Sequence, residues 1–300
     1  VFVPGCSLDR YGNRFVIGIM TIRQMQPHDL NFCLECVKRE GWLSETRATF
    51  ECFLNHDPLG CFVAEDAGRS IGMIVATPYD SAGFLGELIV VPDMRGRGLG
   101  KRLMEHAIKY LHEQGCGSVY LDGDTLAVPL YERLGFKTVC RSLRFVGRVE
   151  PQESRSVRAM RTEDLDLVAS LDRAAFGEDR SALLRFRFDR FPELCLVTAT
   201  NDAVAGYIMG QPGHGVVTVG PWYVSEYLRE PLDLLSAMAC LIGDLRLRLG
   251  VLESNESAVG LMRSLATFEE TEPSWRMVHG PDSGLGASYQ LYAIGSPAKG

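Results

Sequence analysis

The residues of this chain whose types and spacing best suit chemistry lie in "VVPDMRGRGLGKRL", Val90 to Leu103, where an apolar run passes through alternating Gly and Arg into a helical pattern. Glycine at 96, 98 and 100 lets the backbone take positive φ and turn successive amides toward one point, a nest that binds anions. Leu99, Leu103, Met104, Ala107, Ile108 and Leu111 fall on one stripe at helical spacing, with Gly115 placed as a C-terminal cap. The orphan amides and positive dipole end of that helix add to the nest, so its natural guest is a phosphate or pyrophosphate. Arg95, Arg97, Lys101 and Arg102 stand nearby as counter-charges.

Spacing separates the phosphate loops that such glycines could form. A Walker loop, G-x-x-x-x-G-K-[ST], fails because Arg95 stands five before Gly100 and Arg102 follows Lys101. A dinucleotide fingerprint, G-x-G-x-x-G, fails because Gly96, Gly98 and Gly100 are spaced G-x-G-x-G. What remains, R-G-R-G-L-G after "VVP", resembles [QR]-x-x-G-x-[GA], the pyrophosphate loop of the GNAT superfamily of acyl-CoA-dependent N-acetyltransferases, with Arg95, Gly98 and Gly100 at its fixed positions. Downstream, Ala127, Leu130, Tyr131, Gly135 and Phe136 match A-x-x-L-Y-x-x-x-G-F, which resembles the end of a GNAT domain. The likeness covers roughly residues 20 to 145.

The elements that must position this loop follow from periodicity. From Met20 the chain reads as a strand and an amphipathic helix, then as two strands joined by a turn at Asp66 to Arg69. After the loop helix come a strand, "SVYLDGD", and a helix, "TLAVPLYERLGF", closed by Gly135. Polar residues and Pro151 interrupt the pattern over Gly147 to Val157, and the order then restarts. "SVRAMRTEDLDLVASLDRAAF" echoes the first strand and helix, "LCLVTATNDAVAGYIMG" the next two strands, and "ESAVGLMRSLATF" the helix "TLAVPLYERLGF". The expected fold class is α/β, an α+β mixed sheet, in two GNAT-like domains of mostly antiparallel mixed sheet flanked by helices. The expected boundaries are 1–19, an extension or added edge strand; 20–147, the acetyl-CoA-binding domain; and 156–300, a diverged copy. A soluble fragment ending near Pro151 is expected to keep much of the acetyl-CoA affinity while losing acetyl transfer to the true amine.

The copies differ where the loop would lie. The second has "GPWYVSEYLREPLDLL", with no glycine between Pro221 and Leu235, and Pro231 removes an amide donor, so a phosphate nest is not expected there. This resembles the C-terminal half of bacterial tandem-GNAT proteins and predicts one CoA site per chain.

The resemblance implies an N-acetyltransferase that passes the acetyl group of acetyl-CoA, a co-substrate, to a primary amine of a small molecule or protein by direct attack through a tetrahedral intermediate. Gly96, Arg97, Gly98, Leu99, Gly100, Lys101 and Arg95 are expected to hold the pyrophosphate, and a backbone N–H near Val90 or Val91 to meet the oxyanion. Tyr131 stands at the position of the family's leaving-group acid, and Glu87 is the carboxylate of the strand before the loop, a candidate base. Asp122 and Asp124 are candidates to bind or deprotonate the amine; Trp42, Tyr79 and Phe84 are candidate pocket walls. Trp222, Tyr223, Glu226 and Tyr227 are offered as contacts for an ammonium from the second copy. The alternative is a non-catalytic acyl-CoA-binding regulatory or scaffold protein.

Composition bounds the rest. Of 300 residues 46% are hydrophobic and 23% charged, which suits a globular chain of about two domains. Net charge is −1 over residues 1–150 and −6 over 151–300, which argues against nucleic acid. No apolar run reaches the ~18 residues of a membrane span, and the nine scattered cysteines read as reduced thiols, so a cytoplasmic protein is expected. Cys33 and Cys36 form a C-x-x-C inside a helix with no second pair, so no metal is expected.

Overall fold

The computed structural model describes residues 6–8, 14–16, 20–200, 203–227, 230–296 and 298–300. Among the described residues of 1–19, β1 (Cys6–Leu8) and β2 (Arg14–Val16) pair with each other and not with the main sheet. The first half then runs β3 (Thr21–Gln24), α1 (Leu30–Arg39), α2 (Arg47–His56), β4 (Cys61–Asp66), β5 (Arg69–Pro78), β6 (Ala82–Val90), α3 (Leu99–Glu113), β7 (Ser118–Asp124), α4 (Val128–Arg133) and β8 (Lys137–Gly147). The second half repeats that order as β9 (Val157–Ala159), α5 (Leu165–Phe176), α6 (Ser181–Arg190), β10 (Cys195–Thr200), β11 (Ala203–Pro212), β12 (Val216–Val224), α7 (Leu232–Ile242), β13 (Arg246–Leu252), α8 (Glu256–Ser264) and β14 (Phe268–His279). A short β15 (Leu291–Ala293) is added.

The stripe read from the sequence is what seats α3. Leu99, Leu103, Met104, Ala107 and Leu111 are buried, and the helix packs on β4, β5 and β6. Leu103 and Leu99 lie directly over Gly72 of β5, where an added Cβ would come within 3.1 Å of the Leu103 side chain. In α1, Leu30, Cys33, Cys36 and Val37 form the buried face, so the C-x-x-C thiols are core atoms, with Cys33 beside the sulfur of Met25.

One sheet carries both halves, in the order β3-β4-β5-β6-β7-β14-β8-β13-β12-β11-β10-β9. The two halves exchange their long late strands. β14 lies between β7 and β8 of the first half, and β8 lies between β14 and β13 of the second. A core cluster also crosses the boundary, joining Tyr79, Phe84 and Tyr120 to Met160, Val168, Phe176 and Tyr207. This argues against a soluble fragment ending near Pro151. Such a fragment strips β14 from between β7 and β8, leaving backbone donors and acceptors unpaired and apolar side chains wet.

Each half has one parallel pair that opens into a wedge. β6 and β7 pair through Ala82–Leu85 and Ser118–Leu121 and then part; β12 and β13 pair through Val216–Val219 and Arg246–Leu249 and then part. The second wedge holds the chain's own β15, which pairs with β12 at Trp222 and Tyr223, while the Ile294 N–H donates to the Gly250 carbonyl across on β13. Gly220 makes room for it, since a Cβ there would stand 1.8 Å from the Ile294 carbonyl oxygen. The first wedge has no such strand among the described residues.

Candidate active site

The loop at the head of α3 has the shape that its glycines predict, with one difference. Gly96 and Gly98 have φ of +73° and +80°, and Gly98 is the N-cap of α3. Gly100 already lies inside α3, so positive φ is not its role. It keeps the first turn slim where Leu130 and Val90 approach within 3.9 Å of an added Cβ. Arg95 ties the loop back to β6, with Nε donating to the Val90 carbonyl at 2.8 Å and the guanidinium pairing with Glu40. Arg97 and Lys101 are exposed, Lys101 pairs with Glu105, and Arg102 donates to the Met20 carbonyl. Asp93, before the loop, is held by Arg69 through two hydrogen bonds of 2.7 and 3.0 Å.

From the loop a cleft of about 500 Å³ runs along the open wedge between β6 and β7. Val90, Gly100, Leu130 and Tyr131 line it, and Glu87, Glu45, Trp42 and Ala298 lie along it. At Glu87 the strand bulges, because Glu87 and Leu88 together oppose the single residue Ile74 of β5. Glu87 takes φ +57°, a strained conformation for a non-glycine residue. Its side chain turns into the protein, 4% exposed, with Oε2 lacking a hydrogen-bond partner. Burial pushes the carboxyl well above the ordinary range; Glu45 pushes it further and Lys299 opposes.

Tyr131 comes from α4, and its ring lies over Gly123 of β7, where an added Cβ would stand 2.3 Å from the Tyr131 ring. It is 8% exposed. Burial, with the Asp124 charge second, raises the phenol above its ordinary value, so it stays protonated and able to donate.

Several expected site residues stand elsewhere. Phe84 is fully buried in the cluster that joins the halves, beneath the Arg276 guanidinium, and Tyr79 is in the same cluster with its hydroxyl donating to the Lys299 carbonyl. Neither lines the cleft. Trp222 is fully buried in the core of the second half, and Tyr223 stacks on Tyr207. Tyr227 is exposed away from the cleft, and Leu228 and Arg229, in the segment expected to lack a nest, fall outside the described residues. Asp122 borders the cleft, but its side chain is wholly buried and both its oxygens are engaged, accepting from Ser142 Oγ at 2.7 Å, Arg144 at 3.1 Å and Arg276, so it serves the fold as a paired anion. Asp124 is exposed at the cleft mouth. The Val91 N–H donates to Ile71, which takes it from the oxyanion candidates and leaves that of Val90.

The residues missed by sequence reasoning are Glu45, Arg144, Arg248, Glu272 and Ala298, all bordering the cleft, and Arg276 behind it. Glu45 lies in an aperiodic loop, while Arg248, Glu272, Arg276 and Ala298 belong to the second half and reach the first only through the exchanged strands and the last residues of the chain. Ala298 fills the space over Gly86, whose added Cβ would meet it at 2.3 Å.

The chain is similar to known proteins over both halves. Residues 24–136 match the Acetyltransferase (GNAT) family and residues 168–293 an Acetyltransferase (GNAT) domain. N-alpha-acetyltransferase MAK3 of Arabidopsis thaliana is 35% identical over 36% of this chain, which spans 61% of that relative's length. Holothin acyltransferase of Pseudoalteromonas sp. (strain SANK 73390) is 25% identical over 82% of this chain and 83% of its own. A solved Pyrococcus horikoshii structure superposes with a TM-score of 0.80 at 20% identity, over 96% of this chain and 98% of that one, which speaks for the fold. With the loop of one half, the open wedge and the repeated element order of the other already in place, the two matches make this chain a member of the GNAT acetyltransferase family with two GNAT domains in tandem.

Proposed function

We propose that this protein transfers the acetyl group of acetyl-CoA to a primary amine, and that the reaction takes place in the cleft of the first domain. The observation that carries the reading is the convergence there of a nest at a helix N-terminus, an open strand wedge, a buried carboxylate and a protonated phenol. The amides of Gly96 to Gly100 suit the pyrophosphate. The free edge of β6 suits an extended pantetheine arm, which adds to the sheet as a strand does. An incoming ammonium must lose a proton before its nitrogen can attack the thioester carbonyl, and Glu87, with its raised pKa, can take it. In this reading the Val90 N–H meets the oxyanion and the Tyr131 hydroxyl donates to the departing sulfur.

The test is thiol release from acetyl-CoA across a panel of amines, run on the wild type, Tyr131→Phe and Glu87→Gln. Tyr131→Phe should lower kcat by roughly a hundredfold or more with the KM for acetyl-CoA nearly unchanged, since a leaving-group acid acts in the transition state. Full turnover in that variant, with chemistry rate-limiting, would remove Tyr131 from the mechanism. Binding of acetyl-CoA without thiol release to any amine would leave an acyl-CoA-binding protein in place of an enzyme.

Stoichiometry gives a separate expectation. Because β15 already occupies the wedge of the second domain, calorimetry should find one acetyl-CoA per chain. Two equivalents would mean that β15 is displaced.

A further inference from the structure

Glu87 does not face the cleft alone. Glu45, in the loop between α1 and α2, is 6% exposed and borders the same cleft, and its charge is among the causes that raise the Glu87 pKa. The second domain holds that loop from behind. The Leu43 carbonyl accepts from the His214 N–H at 2.8 Å, and Ser44 Oγ accepts from Arg248 at 2.7 Å. Gln211 donates to Thr49 Oγ1 at 2.8 Å, and Gly213 leaves the room the loop needs, as a Cβ there would stand 2.4 Å from the Leu43 carbonyl oxygen.

Two buried carboxylates bordering one cleft are costly unless they share a proton or receive a cation. The charged groups around them are Arg248, Arg144 and Lys299. Arg144 is spent on Asp122 and Ser142, and Arg248 donates to Ser44. Lys299 holds its Nζ over the Phe53 ring, with burial lowering its pKa. Glu87 Oε2 is left buried with no donor. A primary ammonium would bring both the charge and the N–H donors that this place lacks.

We propose that Glu45 and Glu87 form the acceptor socket, a two-carboxylate cradle for a primary alkylammonium with no anionic group beside its nitrogen, and that the second domain sets Glu45 in place. This deepens the transferase reading and rests on it. The pair takes one proton as the ammonium enters. The free amine adds to the thioester carbon, the C–S bond breaks, and the second proton lost by nitrogen is balanced by the one gained by sulfur. The products are an amide, CoA thiol and one proton passed to water.

The experiment uses the full chain, butylamine and 2-aminobutanoate as probes, and NMR of glutamate labelled with 13C at the δ-carboxyl, with Glu87→Gln to assign its signal. The wild type should prefer butylamine at least tenfold in kcat/KM. Glu45→Gln should raise the KM for butylamine at least tenfold, leave that for acetyl-CoA within twofold, and move the Glu87 titration at least half a pH unit lower. An unmoved Glu87 titration, or an unchanged butylamine KM, beside intact turnover overturns the socket alone. No thiol release from either amine in the wild type overturns the transferase reading and the socket with it.

Discussion

Replacing Gly98 with Asp should lower acetyl-CoA affinity by more than tenfold, a loss of at least about 1.4 kcal/mol, while leaving the fold in place. Gly98 sits at φ +80° as the N-cap of α3, and nothing lies within 4 Å of the Cβ it lacks. Asp is among the side chains that tolerate left-handed backbone, and a carboxylate at a helix N-terminus is favourable to the helix by about 0.3–1 kcal/mol. The free protein should therefore melt close to the wild type. What the variant destroys is the vacancy for an anion, because the new charge occupies the field that the amides and dipole present. Calorimetric titration with acetyl-CoA checks this, and Gly98→Ala, which adds backbone strain without charge, separates the two effects. Unchanged affinity in Gly98→Asp would take the pyrophosphate away from this loop.

The largest expected loss of stability comes from Asp122→Ala. The Asp122 side chain is wholly buried, and its carboxylate meets Arg144 of β8 and Arg276 of β14, themselves 5% and 1% exposed. Removing it leaves two guanidinium charges facing each other without a counter-ion, and breaking a buried ion pair in this way costs about 3–5 kcal/mol. Denaturant unfolding should show a loss of that size at neutral pH; a loss under about 1 kcal/mol would mean that water or another group replaces the carboxylate. The effect has a pH sign. Burial alone would lift the Asp122 carboxyl, but Arg276 and Arg144 outweigh it and hold its pKa below the ordinary value. A carboxyl depressed in the folded state contributes stability above its unfolded pKa of about 3.9, and that contribution fades as pH falls through the folded value. The difference between wild type and Asp122→Ala should therefore be full at neutral pH and shrink in acid.

The legible part of this protein was the part written locally. The nest needed only glycines and a helical stripe within Val90 to Leu111, and the structure has both. Tyr131 was placed by its distance from Phe136 and Gly135, and β4, β5, β7 and the repeated second half followed from periodicity and turn residues. Faces were harder. Phe84 and Trp222 sit on strands with no exposed position, so hydrophobic-polar alternation gave little information about which side looked into the cleft. Asp122 resembled a free carboxylate because Arg276, which neutralises it, stands 154 residues further along the chain. Glu45 could not be found at all from periodicity, since its loop takes its shape from Gly213, His214 and Arg248 of the other domain.

The exchange of β8 and β14 has a consequence for the history of the chain. Two copies of a gene joined end to end can ordinarily drift apart, and a copy whose own ligand wedge has been closed by a strand such as β15 is free to be lost. Here that freedom is gone. The first copy cannot complete its sheet, nor neutralise Asp122, until Arg276 and the rest of β14 have left the ribosome. Neither half-gene encodes a finished sheet, so the two copies are inherited together.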